Sequence, residues 1–243
     1  MSEETNKFKG MGRQAWHLCK CSIPLTLAYI FAGVMLMLTT LEEGQTLWSS
    51  EKLGWTILCA ACAVAYNALI AHGMGGTGYE MLVSGNIKRS TMDDYGGGYK
   101  MSSHKYVQEY RVWKGFGFGA FTALSTVLFG ILFGCNQQAL EGQTLTAGLW
   151  TLNLLGYLIS GWTLLPITYL NASGASISYF VSCAFAIVPI AVSGVFYILG
   201  AYSKRNKAIK KQRIADEIAA AQAAKEKKIN YGGLPGTKPK KRK

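Results

Sequence analysis

The sequence predicts an all-α polytopic membrane protein with four or five membrane segments and a basic C-terminal helix and tail. The first observation is the uneven charge: residues 204–243 carry 14 Lys/Arg and 3 Asp/Glu, against 11 and 10 in residues 1–203. The second is the length of the uncharged stretches, the longest being the 62 residues Gly142–Ser203. Soluble helices and strands keep one face in water, so such a stretch indicates a membrane. The alternation typical of transmembrane β-strands is absent.

Five segments are long and apolar enough to be candidates, because a helix needs about 20 such residues to cross a bilayer. They are Cys21–Thr40, Leu53–Ala71, Phe116–Cys135, Leu145–Leu170 and Ile177–Tyr202. Pro24 lies in the expected first turn of the first segment, where a missing N–H costs little. Five glycines are expected to let the third segment pack closely against another helix: Gly115, Gly117, Gly119, Gly130 and Gly134.

The distribution of Lys and Arg predicts the topology, because short loops rich in these residues stay cytoplasmic. Residues 1–20 and 72–114 together carry ten of them, and residues 41–52 and 136–144 carry one. Four crossings therefore place 24 of the 25 Lys/Arg inside, whereas five place only 10 inside. The fourth segment is interrupted by glycines, Asn153 and Pro166, so we expect it to be a re-entrant element that does not cross. The alternative is that all five segments cross.

The predicted protein is thus a multi-pass protein of the cell membrane. Its regions are a cytoplasmic N-terminal segment (1–20), a helical membrane domain (21–203) with a cytoplasmic loop (72–114), and a basic cytoplasmic helix and flexible tail (204–243). An internal repeat suggests a duplicated helical hairpin, since the sequence EGQTL occurs at 43–47 and at 141–145, an offset of 98. Chance reuse of a turn sequence is the competing interpretation.

The 72–114 loop offers one possible binding site. Gly73, Gly75, Gly76 and Gly78 could cradle a phosphate with backbone N–H groups, and Lys88 and Arg89 could supply counter-charge. The sequence lacks the Gly-Lys-Ser/Thr of a P-loop, and a flexible helix exit with close helix approach is the favoured interpretation. The residues just before the third segment, including Tyr110 and Lys114, are typical of a membrane-interface belt.

Catalytic and metal-binding patterns are weak, so we expect no metal and no cofactor. Cys59 and Cys62 are interpreted as small packing residues, and Cys21 lies near the predicted cytoplasmic edge, where acylation is chemically feasible. Asn67 and Asn153 are expected to form hydrogen bonds between helices, or alternatively to line a small polar pathway.

The C-terminal region carries the functional prediction. Residues 203–228 contain strong helix formers and no Pro or Gly, and residues 230–237 form a Gly- and Pro-rich hinge. The expected anion-binding residues are Lys204, Arg205, Lys207, Lys210, Lys211 and Arg213 on the helix, and Lys238, Lys240, Lys241, Arg242 and Lys243 at the end of the chain.

Such clusters bind anionic lipid headgroups or phosphate-rich RNA. The sequence therefore predicts a membrane binding or scaffold protein that engages anionic lipid, RNA or the ribosome, with homo-oligomers possible. The alternatives are a small-solute transporter or channel component, and a membrane enzyme that uses the 72–114 loop.

Overall fold

The computed structural model describes residues 2–39, 50–94, 108–140, 146–172 and 174–230, and every regular element within these ranges is helical. The helices are α1 (Ser2–Thr39), α2 (Ser50–Asp94), α3 (Val112–Cys135), α4 (Gln137–Leu140), α5 (Ala147–Ala172), α6 (Val181–Phe185) and α7 (Ile187–Asn230). The all-α prediction is confirmed.

Four helical stretches of the described chain are long and apolar enough to cross a membrane. They are Met11–Leu38, Gly54–Gly85, Val112–Cys135 and Val181–Lys225. This fits a membrane protein with four segments by length and composition, and α5 is not among them.

Helix α5 is interrupted at Ser160, whose backbone angles (φ −121°, ψ 19°) are not helical. The halves 147–159 and 161–172 are each shorter than the roughly 20 residues that a crossing requires. Two neighbours favour the break: Gly161 follows it, and Pro166 has no N–H to donate to the Trp162 carbonyl. The Ser160 carbonyl instead accepts a hydrogen bond from Thr163 Oγ1 at 3.1 Å. The expected interruption of the fourth segment is therefore present, and it is sharpest at Ser160.

Helix α1 begins much earlier than predicted, at Ser2, so Pro24 lies in its interior and not in its first turn. Proline there removes the hydrogen bond that residue 24 would donate to the Lys20 carbonyl. Two hydroxyl groups near Pro24 donate hydrogen bonds to backbone carbonyls: Ser22 Oγ donates to the Cys19 carbonyl at 2.7 Å, and Thr26 Oγ1 donates to the Ser22 carbonyl at 3.0 Å.

Helix α2 also differs from the prediction, because it continues through the expected loop as far as Asp94. Glycine weakens a helix by about 1 kcal/mol relative to alanine, but here two glycines allow contacts with α7. A Cβ on Gly75 would lie 1.9 Å from the Tyr197 carbonyl oxygen, and one on Gly78 would lie 3.0 Å from Tyr197 Oη. Close packing of the two helices offsets the low propensity of the glycines.

The predicted fifth segment starts later than Ile177, because residues 175–178 are not helical. Asn171 holds this stretch with both polar atoms of its side-chain amide: Nδ2 donates to the Ile177 carbonyl at 2.8 Å, and the Ile177 N–H donates to Oδ1 at 2.7 Å. Gly174 has a φ of 101°, which glycine adopts without strain. The chain thus turns after α5 and leads into α6 and α7.

Helix α1 lies at the centre of the packing, in contact with α2, α3 and α5. Tyr29, Ala32 and Trp162 form part of one buried cluster, and Leu36 and Leu165 form part of another. The chain divides into two compact units, Met1–Ala201 and Tyr202–Lys243. Residues 202–230 of the second unit are helical, and residues 204–225 are exposed.

The predicted close packing of α3 is confirmed. A Cβ on Gly119 would lie 2.5 Å from Ile190 Cα, and one on Gly130 would lie 2.9 Å from Cys183 Sγ. These distances are too short for a larger residue without movement of the neighbouring helix.

The duplicated hairpin stays a prediction. Both EGQTL sequences include residues outside the described ranges. The offset of 98 aligns α2 with α5, and these helices differ because only α5 is broken.

Two glycines of α2 give a matched test of the helix contact. Gly75→Ala places a methyl group against the Tyr197 backbone and should destabilise the protein by about 1–3 kcal/mol, the usual cost of overpacking. Gly73 has open space around it, so Gly73→Ala should be neutral or stabilising by up to about 1 kcal/mol. Thermal unfolding in detergent measures both, and equal effects would contradict the contact.

Candidate functional site

Asn67 is the centre of a buried hydrogen-bond network that joins three helices. Its Nδ2 donates to Tyr29 Oη in α1 at 2.8 Å, and its Oδ1 accepts from Ser193 Oγ in α7 at 2.9 Å. Asn67 and Ser193 are fully buried, and Tyr29 nearly so. The Tyr29 ring lies 4.7 Å from the ring of Trp162. The expected interhelical hydrogen bond is confirmed for Asn67. Both polar atoms of its side chain are used in these bonds, so Asn67 does not support the alternative of a polar pathway.

A different pair of polar atoms is buried without a hydrogen-bond partner. These are Asn153 Oδ1 and Ser160 Oγ, both in α5, and Ser160 is fully buried. Asn153 therefore does not use its Oδ1 in the interhelical hydrogen bond that the sequence suggested. Unpaired buried polar atoms are costly, so a group that supplies a donor would be bound favourably there.

Three further hydroxyl contacts hold the second half of α5. Thr163 Oγ1 and Ser182 Oγ are 2.8 Å apart and buried. Thr168 Oγ1 lies 2.9 Å from Tyr157 Oη and 3.1 Å from Tyr179 Oη. These contacts connect both halves of α5 with the segment that leads into α7, so the break is held in one geometry.

A cavity of about 290 Å³ lies among α1, α2, α3 and Tyr197. It is lined by His17, Cys21, Met74, Thr77, Gly78, Met81, Gln108, Lys114, Phe118 and Tyr197. Cys21 Sγ lies 3.8 Å from both ring nitrogens of His17. The cavity thus combines a thiol, an imidazole, two thioethers and an ammonium group.

Lys114, which the sequence assigned to an interface belt, is buried, with only 3% of its surface exposed. Its Nζ donates a hydrogen bond to the Glu109 carbonyl oxygen. The residues just before α3 are anchored to α2, since the Tyr110 N–H donates to the Gly78 carbonyl at 3.0 Å. Tyr110 also stacks on Tyr197 at 5.2 Å, and burial raises the pKa of its phenol.

Only a weak signal for this cavity is present in the sequence. His17 and Cys21 are four residues apart, which places both on one face of α1. Lys114 is the charged residue immediately before a long apolar stretch. Nothing in the sequence, however, indicates that these residues meet Met74 and Tyr197.

The glycines of the possible phosphate site do not form a loop that could cradle a phosphate. Gly73, Gly75, Gly76 and Gly78 lie within α2, where backbone N–H groups serve the helix itself. Gly75 and Gly78 face Tyr197, as the alternative of close helix approach expected. Lys88 and Arg89 lie near the end of α2, and their side chains are outside the described residues.

The six predicted anion-binding residues of α7, from Lys204 to Arg213, are all exposed. The other five, from Lys238 to Lys243, lie outside the described residues. The first group therefore lies on the surface of a helix. Binding of an anionic partner by either group stays a prediction.

An apolar groove of about 440 Å³ runs between α1 and α2, and its lining includes Pro24, Phe31, Cys59, Cys62 and Tyr66. Cys59 and Cys62 thus border an apolar surface. Among the residues whose positions are described, no group of three or more His, Cys, Asp and Glu side chains could hold a metal ion.

Comparison with known proteins gives no match to a family model, a curated protein or a solved structure.

The coupling between Asn67 and Ser193 can be measured with a double-mutant cycle. Asn67→Ala and Ser193→Ala should show a coupling energy of about 0.6–1.7 kcal/mol, which lies between the average and the maximum found for hydrogen bonds between membrane helices. Ser125 is a matched control, because its hydroxyl donates to the Thr122 carbonyl within α3. Asn67→Ala and Ser125→Ala should be additive within about 0.5 kcal/mol. Equal coupling in the two cycles, measured by unfolding in detergent, would contradict the network.

Proposed function

We propose that the protein is an integral membrane binding protein whose basic C-terminal helix and tail hold an anionic partner. The observation that carries this proposal is the continuity of α7, a single helix from Ile187 to Asn230. Its first part belongs to a candidate membrane span, and its later part carries six exposed cations within ten residues. A cationic helix that continues directly from an apolar one keeps its charges close to the headgroups.

The arrangement of these cations around α7 favours anionic lipid as their ligand. Successive residues are rotated by about 100° around a helix, which distributes positions 204, 205, 207, 210, 211 and 213 over all sides. An amphipathic helix that lies flat on a membrane would keep its cations on one face. Charges on all sides instead suit a helix surrounded by headgroups, where each contributes about 1 kcal/mol near an anionic leaflet.

The topology in this proposal has four crossings, with the N-terminus and the tail both in the cytoplasm. It is supported by the four candidate spans and by the break in α5. Anionic lipid is concentrated in the cytoplasmic leaflet, so this topology brings the basic helix to the leaflet that it would bind.

The terminal cluster 238–243 is the proposed site for RNA or the ribosome. It follows the six helix cations by more than 20 residues, and its five cations are not needed for orientation. The affinity for RNA should fall steeply as the salt concentration rises, because binding releases the counterions that surround the RNA phosphates.

A small-solute transporter is the second candidate, and the break in α5 favours it. Transporters often place their binding sites where a membrane helix is discontinuous. Here Ser160 Oγ at the break and Asn153 Oδ1 are buried without a partner. Solute flux in proteoliposomes that survives deletion of 204–243 and is lost in Ser160→Ala would favour this candidate over the first.

The binding proposal is tested with the full chain in nanodiscs. Replacing each of the six cations between positions 204 and 213 with Gln should abolish the retention of anionic lipid during purification. Mass spectrometry measures which lipids the purified protein retains. Lys225, Lys227 and Lys228 lie further along the same helix, and their change to Gln is the matched control, which should retain the lipid. Equal lipid retention in both variants would contradict the headgroup contact.

The RNA contact is measured separately by fluorescence anisotropy in neutral nanodiscs at low salt. Deletion of 230–243 should weaken binding of single-stranded RNA by at least about tenfold, because five phosphate contacts are lost. Equally weak binding by the full chain and the truncation would rule out RNA as the partner.

A further inference from the structure

The 290 Å³ cavity among α1, α2, α3 and Tyr197 is lined by four side chains of types that bind soft metal ions. His17 and Cys21 line it from α1, and Met74 and Met81 line it from α2. All four are partly buried. Cys21 and Met74 also pack against the same buried cluster, which includes Phe118 and Tyr197.

The spacing of these residues on the two helices places each pair on one face. His17 and Cys21 are one helical turn apart, the same i, i+4 spacing that helical metal sites use for paired ligands. Met74 and Met81 are seven residues apart, which is two turns. The two faces border the same cavity, so all four side chains line one space.

The distance between Cys21 and His17 suits two ligands of one ion. Typical metal bonds of about 2.3 Å to sulfur and about 2.0–2.1 Å to nitrogen, at an angle of about 120°, separate the two atoms by about 3.8 Å. Cys21 Sγ lies 3.8 Å from each of the two imidazole nitrogens. Rotation of the His17 ring can therefore direct either nitrogen to an ion beside the thiol.

The chemistry of the cavity selects among metal ions. Thiolate and thioether ligands prefer Cu(I), whereas Mg²⁺ and Ca²⁺ require oxygen ligands. Carboxylates do not line the cavity in the described part of the chain. Lys114 places a positive charge in the same cavity, which penalises a divalent ion more than a monovalent one.

We propose that His17, Cys21, Met74 and Met81 form a binding site for one Cu(I) ion. The site is independent of the anionic-partner function, because it involves none of the residues from 204 onwards. Binding replaces the thiol proton, so Cu(I) and the Cys21 thiolate form a neutral pair and one proton is released to solvent. The two thioethers complete the coordination as neutral ligands.

The test is a titration of the full-length protein in detergent with Cu(I), under anaerobic and reducing conditions, in competition with the chelator bicinchoninate. The wild-type protein should retain one Cu(I) per chain. Cys21→Ser should lower the affinity at least about tenfold, because even the loss of a residue that only hydrogen-bonds to a metal ligand costs about 10- to 100-fold. Met74→Leu/Met81→Leu should do the same, and it conserves volume, so it tests the site even if Cys21→Ser fails to fold.

Cys59 and Cys62 provide the matched control, because they are free thiols that border a different groove. Cys59→Ser/Cys62→Ser should keep the wild-type stoichiometry and affinity. The proposal is overturned if the wild-type protein releases all its Cu(I) to the chelator, if the Met74/Met81 variant binds as tightly as wild type, or if only the Cys59/Cys62 variant loses the ion.

Discussion

The contact between Gly33 in α1 and Gly161 in α5 is the constraint on which the bundle depends. A Cβ on Gly33 would lie 3.1 Å from the Trp162 nitrogen and 3.2 Å from Gly161 Cα. The contact brings the centre of α1 against the point where α5 breaks. A broken helix has backbone groups that lipid cannot satisfy, so it must be enclosed by protein. Helix α1 provides that enclosure.

The rest of the membrane domain follows the same physical rule. Lipid is as apolar as a leucine side chain, so helices associate through close packing and hydrogen bonds and not by leaving water. Glycine provides the close approach at Gly75 and Gly119, where a Cβ would overlap the backbone of α7. Asn67 provides the hydrogen bonds that join α2 to α1 and α7. The first part of α7 is therefore held by both kinds of contact.

Much of this fold could be predicted from local sequence, because membrane segments are determined by composition over about 20 residues. The third segment was predicted to end at Cys135, as observed, although the helix begins four residues before the predicted Phe116. The glycines of α3 indicated its close packing. The irregularity of the fourth segment was also visible, since Gly, Asn and Pro are local features. The extent of α2 was not, because the loss of helix propensity at Gly75 is compensated by contact with Tyr197, more than 120 residues away.

The candidate sites were harder to predict for the same reason. Asn67 was correctly expected to bond between helices, but its partners could not be named from the sequence. Lys114 was assigned to the membrane interface because its neighbours are aromatic and basic, whereas the structure buries it beside a cavity. That cavity depends on how α1, α2 and α3 assemble, and a single sequence carries no record of that assembly.

The central claim is that α5 does not cross the membrane, so that both ends of the chain lie on the same side. Cysteines introduced at Ser2 and Ala223, in a variant whose six native cysteines are replaced, can be labelled with an impermeant maleimide in sealed vesicles of known orientation. The account predicts that both positions are labelled from the cytoplasmic side only. Labelling of the two positions from opposite sides would contradict it, because an odd number of crossings would place the basic tail outside.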